Sequence, residues 1–401
     1  MKCFLFGADN NGPSASGTGE FNRLNSIFPS SWSSNEFFCR LVVPVAMDLS
    51  RFYVQIDTPP GVGKSYAFTV MKNGIATALE VIIADSATSA EDTTHAISFA
   101  PGDTVSLRAV PTGTPDVPSN QYWNIQVDTS GQSAPLLTGL ASMSSSLTRY
   151  GSMLAGHNSA AGWSATESDM QVIVPTSGTL SNLYVKASGA PGSGNSYELT
   201  VMKNGLPTGL QAILADSNTL ASDTTHTVSV IAGDSLTIRA VPTSSPSGVT
   251  PSFGVAFTPT NTGENFMGFG SASAPSTTVA NFEQLLGIGL GAWNATESAR
   301  FMMPGPCTLR GLYVKLITPP GLGASRTFTI RKSTGDTVLT ATISETDTTA
   351  SVLANVECAQ GDLIIIKSTV STTPFPAAAT GGVHIGLLLY NDPKSPVVMI
   401  Y

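Results

Sequence analysis

Two of the four histidines, His95 and His226, each follow the text Asp-Thr-Thr. A histidine beside a carboxylate can act in general acid–base catalysis, since the carboxylate fixes the tautomer and the ring titrates near neutrality. With Asp85 and Asp92, or Asp216 and Asp223, the same stretch also holds cation-ligating oxygens. Neither chemistry is complete. A third copy of the text reads Asp347-Thr348-Thr349-Ala350, with alanine where the histidine would stand. The alternating Asp/Asn run and internal Gly of a calcium loop are missing. These residues read instead as Asx-turns and a histidine at the start of a strand.

Other candidates fail in similar ways. Gly-x-Gly occurs at Gly61–Gly63, Gly192–Gly194 and Gly321–Gly323, but between strands, and a phosphate loop needs a helix after it. Trp32, Trp163 and Trp293 share a neighbourhood and could stack on sugars; one register in every copy favours core anchors. Gly102-Asp103, Gly233-Asp234 and Gly361-Asp362 recur in all copies and mark a turn. No Ser-His-Asp or Cys-His set clusters. Asn294-Ala295-Thr296 is a lone glycosylation sequon. The expectation is no catalytic residue, no cofactor and no metal.

The elements that carry these residues belong to a tandem repeat. Tyr197 to Val241 nearly repeats Tyr66 to Val110, and a worn third copy runs from Arg326 to Lys367. Tyr197, Leu199 and Val201 alternate with Glu198, Thr200 and Met202, a period of two. Asn73-Gly74 and Asn204-Gly205 supply the φ > 0 pair of a two-residue hairpin. Lys332-Ser333-Thr334-Gly335 suggests a three-residue hairpin closed by a Gly bulge. Each copy opens with an aromatic-Gly step (Phe6-Gly7, Tyr150-Gly151, Phe269-Gly270) and adds about eight short strands with turn signals between. The predicted fold is all-β: three tandem antiparallel β-sandwich domains of jelly-roll or TNF-like type. The boundaries read 1–131, 146–260 and 265–401, with linkers at Gly131–Ser146 and Pro259–Glu264. Helical periodicity is absent; Phe282–Leu286 is the best candidate for a single turn.

Of the 401 residues, 11% are charged, and the net charge is −8. That balance excludes the basic footprint of a nucleic-acid binder. No 18-residue apolar run marks a transmembrane helix, and the apolar run at the N-terminus is too short for a signal peptide. The four cysteines, Cys3, Cys39, Cys307 and Cys358, do not recur in register, so they read as free, buried thiols.

Two apolar runs stand out as assembly candidates. Leu363-Ile364-Ile365-Ile366 is apolar on both faces where the other copies alternate, so it calls for cover on both faces, by a neighbouring domain or subunit or by a thick local loop. Val397-Val398-Met399-Ile400-Tyr401 follows two prolines and needs burial, on a neighbour's sheet edge or on its own domain.

The cassette Leu-Tyr-Val, Pro-Gly-x-Gly, Thr-Val-Met-Lys-Asn-Gly, Ala-Asp-Ser, Asp-Thr-Thr-His and Leu-x-Ile-Arg-Ala-Val-Pro resembles repeats in virion surface proteins of tailed bacteriophages. The resemblance covers most of copies 1 and 2 and the middle of copy 3, and fixes no functional residue. It implies a structural, non-enzymatic role as a capsid decoration, head-fibre or tail-appendage protein, made in the host cytoplasm and placed on the virion surface. The implied partners are other virion proteins (major capsid or tail subunits) and further copies of the chain, with a host-surface glycan as a possible ligand. The competing classes are a carbohydrate-binding adhesin and an S-layer or filament subunit.

Overall fold

The computed structural model describes residues 2–25, 32–154, 162–271, 274–283, 293–297, 301–302, 306–333, 335–359, 361–371 and 382–390. The first unit contains β1 (Lys2–Asp9), β2 (Glu20–Asn22), β3 (Leu41–Val42), β4 (Met47–Ile56), β5 (Gly61–Lys72), β6 (Ile75–Asp85), β7 (Ser89–Phe99), β8 (Thr104–Thr112) and β9 (Gln121–Thr129). They form two antiparallel sheets, β1-β9-β4-β7 and β2-β8-β5-β6, with β3 also paired to β8. With β2 and β3 counted as one interrupted strand, this is the double Greek key of a jelly roll.

The second unit contains β10 (Ala134–Gly139), β11 (Arg149–Gly151), β12 (Val172–Ile173), β13 (Gly178–Ala187), β14 (Gly192–Lys203), β15 (Leu206–Asp216), β16 (Leu220–Asp223), β17 (Val228–Val230), β18 (Ser235–Thr243) and β19 (Pro251–Pro259). The third contains β20 (Glu264–Ser271), β21 (Asn281–Glu283), β22 (Phe301–Met302), β23 (Cys307–Leu316), β24 (Gly321–Lys332), β25 (Gly335–Glu345), β26 (Thr349–Cys358), β27 (Leu363–Val370) and β28 (Val383–Tyr390). Both repeat the strand order of the first unit. The period-two pattern explains the cores. Tyr197, Leu199 and Val201 are fully buried between the sheets, as are Tyr66, Phe68 and Val70. Each such side chain contributes about 1.5–3 kcal/mol through removal from water.

Three expectations need correction. The linker read at Gly131–Ser146 contains β10, the first strand of unit 2, paired to β19 from Ala134↔Phe257 to Gly139↔Ser252. It escaped detection because all six of its residues are buried, which removes the alternation. Its Pro135 is tolerated because β10 lies at the sheet edge. Secondly, Tyr150-Gly151 is not equivalent to Phe6-Gly7: it lies on β11, which matches β2, and the text match displaced the start of unit 2. Thirdly, Lys332 pairs directly with Gly335, so the third hairpin has two loop residues like the others; Ser333 adopts the required φ of 57°. Asn281–Glu283 is strand, and 284–286 lies outside the described residues.

The units pack head to tail. Strand β3 of unit 1 lies against β10, β13 and β19 of unit 2, and β12 of unit 2 lies against β20, β23 and β28 of unit 3. The two contacts use equivalent atoms. The Val42 carbonyl approaches Gly254 so closely that a Cβ there would sit at 2.4 Å; the Ile173 carbonyl leaves 2.3 Å at Gly386. Outward side chains of each first strand reach the preceding unit. Leu137 joins the apolar cluster of unit 1 and Phe266 that of unit 2. Phe6 of unit 1 packs on the cluster of unit 3, so the first unit also touches the third.

His384 lies in the contact between units 2 and 3 and is fully buried. Burial, then the charge of Lys315, lowers its pKa from 6.5 to about 4, against hydrogen bonding with the backbone of Ser168 and Gln171. Lys315 itself donates to Gln171 Oε1 across the contact at 2.8 Å.

Two predictions follow from this packing. Gly386→Ala and Gly254→Ala force backbone apart and should each cost about 1–3 kcal/mol, seen as lower unfolding midpoints and as faster proteolysis between units. The folded protein keeps His384 neutral where the unfolded chain protonates it. Its contribution is therefore complete above pH 6.5 and declines as pH falls towards 4, by about 3 kcal/mol. Urea titrations across that range should show the slope, and His384→Gln should flatten it.

Candidate functional site

The Asp-Thr-Thr-His stretch sits on β7 in unit 1 and across the β16–β17 junction in unit 2, each time at a bulge. Pairing of β4 with β7 jumps from Ser50↔Ala96 to Phe52↔Asp92. The Asp92 side chain fills that irregularity: Oδ1 accepts the N–H of Thr94 at 2.9 Å and of His95 at 3.2 Å. Oδ2 accepts the Glu80 N–H of neighbouring β6 at 3.3 Å and contacts His95 Nδ1 at 2.9 Å. Asp223 makes the same set with Thr225, His226 and Gln211. Burial alone would raise the Asp92 carboxyl, but hydrogen bonds led by the Thr94 N–H and the His95 ring outweigh it and hold it at about 2. Asp223 is likewise held well below the usual carboxylate range.

This arrangement clamps a bulge. The Thr94 hydroxyl contacts His95 Nδ1 and Asp92 Oδ1, the side of the ring already occupied by the carboxylate, so it is not placed as a nucleophile served by the outer ring nitrogen. The third unit corrects the sequence reading. Phe52, Leu183 and Leu312 are equivalent, and their partners are Asp92, Asp223 and Val352. Asp347-Thr348-Thr349-Ala350 is thus a chance match in the preceding turn and strand start. From Val352 to Cys358 is six residues, whereas Asp92 to Phe99 is seven, so unit 3 is one residue short across the bulge and has no counterpart of His95.

Asp85 and Asp216 do not converge with Asp92 and Asp223. They adopt φ 55° at the ends of β6 and β15 and accept the N–H of Gly63 and Gly194 at 2.7 and 2.8 Å. The Gly-Asp landmark is a second lock. Asp103 accepts from Asn73 Nδ2 at 2.7 Å and from the Ala100 N–H at 2.8 Å, and Asn73 Oδ1 accepts the Thr104 N–H at 2.8 Å. Asp234 and Asn204 repeat this, and Asp362 keeps the local part with Ala359. Trp32, Trp163 and Trp293 are buried at 7–8% exposure, which leaves little ring face for a sugar. Each follows an excursion that returns to bridge the strand it left, at Phe21↔Ser33, Tyr150↔Ser164 and Phe282↔Asn294. Among the described residues no group of three or more His, Cys, Asp or Glu side chains could hold a metal ion.

Of the proposed assembly residues, Ile364 and Ile366 lie in the core of unit 3, Ile365 is also buried, and Leu363 is half-buried. The position of Ile365 is held by Ser106 and Thr237 in the other units, where Glu36 and Glu167 of the same unit cover them by accepting hydrogen bonds at 2.8 and 2.9 Å. In unit 3 the corresponding Glu297 pairs with Arg331 at 2.9 Å. Val397, Val398, Met399, Ile400 and Tyr401 lie outside the described residues. Sequence reasoning missed the most exposed apolar side chains. Val62 and Leu322 stand at equivalent Pro-Gly-x-Gly apices, 91% and 79% exposed, and Ile75 and Leu206 follow equivalent hairpin turns, 72% and 69% exposed. The variable residue between two φ > 0 glycines was the available signal.

No family model matches the chain, and no curated protein matches it. Among solved structures, the triple jelly roll of an archaeal virus turret overlaps 86% of this chain and 78% of its own, at 11% identity and a TM-score of 0.20. PNGF-II overlaps 85% and 99%, at 8% identity and 0.22. The VP2 subviral particle of infectious bursal disease virus overlaps 98% and 81%, at 9% identity and 0.21. Overlaps this weak carry no argument about function; the jelly-roll assignment rests on the strand order.

The clamp makes a prediction that separates structure from catalysis. Asp92→Ala or Asp223→Ala leaves buried N–H groups unpaired and should cost about 1–3 kcal/mol, whereas His95→Ala, on an exposed ring, should cost about 0.5 kcal/mol or less. Because folding lowers these carboxyl pKa values, their contribution is complete above pH 4 and is lost as pH falls towards 2. Chemical denaturation of the variants at pH 7 and pH 3 measures both.

Proposed function

We propose that this chain is a structural virion protein, a capsid decoration or surface appendage subunit that docks on other virion proteins. The observation that carries this reading is the run of three jelly rolls packed through equivalent close contacts, with Phe6 of the first against the core of the third. In the proposed arrangement the three Pro-Gly-x-Gly apices, equivalent turns of equivalent units, form one end of the molecule. Two of them carry exposed apolar residues, Val62 and Leu322, on a chain with only 11% charged residues. Such an end suits a broad, repetitive protein surface better than a small-molecule ligand. Assembly in the host cytoplasm, placement on the particle surface and self-association at the particle belong to the same proposal. So does a connecting role for Val397 to Tyr401, as a strand added to a neighbour's sheet edge.

The test is association with particles. Purified chain should co-sediment with virus particles stripped of it. The double substitution Val62→Asp and Leu322→Asp should abolish this while leaving the unfolding midpoint within about 2 °C, since both side chains touch solvent. Deletion of Val397 to Tyr401 should give a folded protein that no longer binds. Retained binding by the double variant overturns the docking end, and wild-type protein that never co-sediments overturns the virion role.

A further inference from the structure

Cys307 opens β23 and Cys358 ends β26, and the two are directly opposite in the antiparallel ladder, followed by Thr308↔Glu357 and Leu309↔Val356. The register is regular there, and the next pair already meets through side chains: Thr308 Oγ1 donates to Glu357 Oε2 at 2.9 Å. Opposed antiparallel residues have Cα atoms about 4.5–5.5 Å apart, inside the roughly 4.4–6.8 Å window of a disulfide. Both residues are reduced in this structure and buried. Both belong to the apolar cluster of unit 3, so the two side chains turn to the same face, and Cys358 Sγ lies 3.9 Å from the Val356 carbonyl. The equivalent pairs in the other units are Met47↔Phe99 and Gly178↔Val230, so the arrangement belongs to unit 3 alone.

We infer that Cys307 and Cys358 are an oxidation site that forms an intrachain cross-strand disulfide when the protein meets a disulfide oxidant. Cys358 is the attacking sulfur: it lies on the edge strand, and the facing Cys307 lowers its pKa while that of Cys307 is raised. Its thiolate attacks one sulfur of a small disulfide such as oxidised glutathione, forms a mixed disulfide and releases one glutathione thiolate. Cys307 then loses its proton to solvent and attacks the Cys358 sulfur, releasing the second. Both cysteine thiols are oxidised, and one glutathione disulfide is reduced to two thiols. Access is through the sheet edge. β26 is an edge strand, and the pair is the last of its ladder, where fraying is easiest. The bond holds β23 to β26 within one sheet, and the loop it closes contains β24 and β25 of the other. Cys3 and Cys39 provide the internal contrast: burial pushes both thiols up to about 12, Cys3 stands opposite Val127 and not a cysteine, and they stay reduced.

The experiment uses the full chain, reduced, desalted and incubated with oxidised glutathione a few degrees below its unfolding midpoint. Free thiols are then blocked in denaturant and the digest is mapped without reductant. The expected result is one linked peptide pair containing Cys307 and Cys358, with Cys3 and Cys39 blocked. The unfolding midpoint should rise by about 5 °C or more and return on reduction. Cys358→Ser and Cys307→Ser should each abolish linkage and shift, while Cys39→Ser keeps both. Recovery of Cys307 and Cys358 as separate blocked or glutathionylated peptides overturns the inference. So does linkage of either residue to Cys3, Cys39 or a second molecule.

Discussion

The close backbone approach at Gly254 and Gly386 is the contact on which the rest of this structure depends. A jelly roll covers one face of each sheet with its own core and leaves the other face to water. Here the outward face of the β9-type strand is covered by the preceding unit, whose short β3-type strand brings a carbonyl within reach of a glycine. Any side chain at those glycines would hold the units apart. Around that contact the outward positions become buried: Ala256 beside Gly254, and His384 and Leu388 beside Gly386. The interface is therefore core-like in its tightness.

Much of the unit was legible in the sequence because its signals are local. Alternation located the long strands, and Asn-Gly located the hairpins. The recurring Gly-Asp announced a turn, which proved to be hydrogen-bonded to the hairpin asparagine thirty residues away. Two of the failures share one cause, a textual match that strand pairing does not follow. Tyr150-Gly151 resembles Phe6-Gly7 yet occupies a different strand, and Asp347–Ala350 resembles Asp-Thr-Thr-His yet precedes the bulge. Both errors disappear once partners across the ladder are known. β10 was invisible for another reason: buried on both faces, it has no period. The packing between units was also unreadable, since it depends on residues that are neighbours only after folding.

The candidate site was legible mainly as an exclusion. Asp92 and His95 have the right types for chemistry, but the carboxylate accepts four hydrogen bonds from its own bulge and the next strand. Loss of the bulge residue in unit 3 was compatible with the fold because Val352 there can contribute apolar contact in place of the clamp. The third unit also replaces the Ser106–Glu36 and Thr237–Glu167 bonds with a buried isoleucine and a Glu297–Arg331 pair. Arg331 and Ile365 are direct neighbours across the ladder, so the isoleucine and the ion pair changed at one place.

The direction of synthesis gives the three packed units one more property. Unit 2 emerges with unit 1 already made, and unit 3 emerges with unit 2 already made, so their outward faces find cover at once. The outward face of unit 1 meets the core of unit 3 at Phe6, more than 250 residues further along the chain. That face carries Asn124 and Gln126 where the others carry Gly254 with Ala256 and Gly386 with Leu388. The face whose neighbour within this sequence is made last is thus the most polar of the three, and the more apolar faces belong to units that emerge after the unit that covers them.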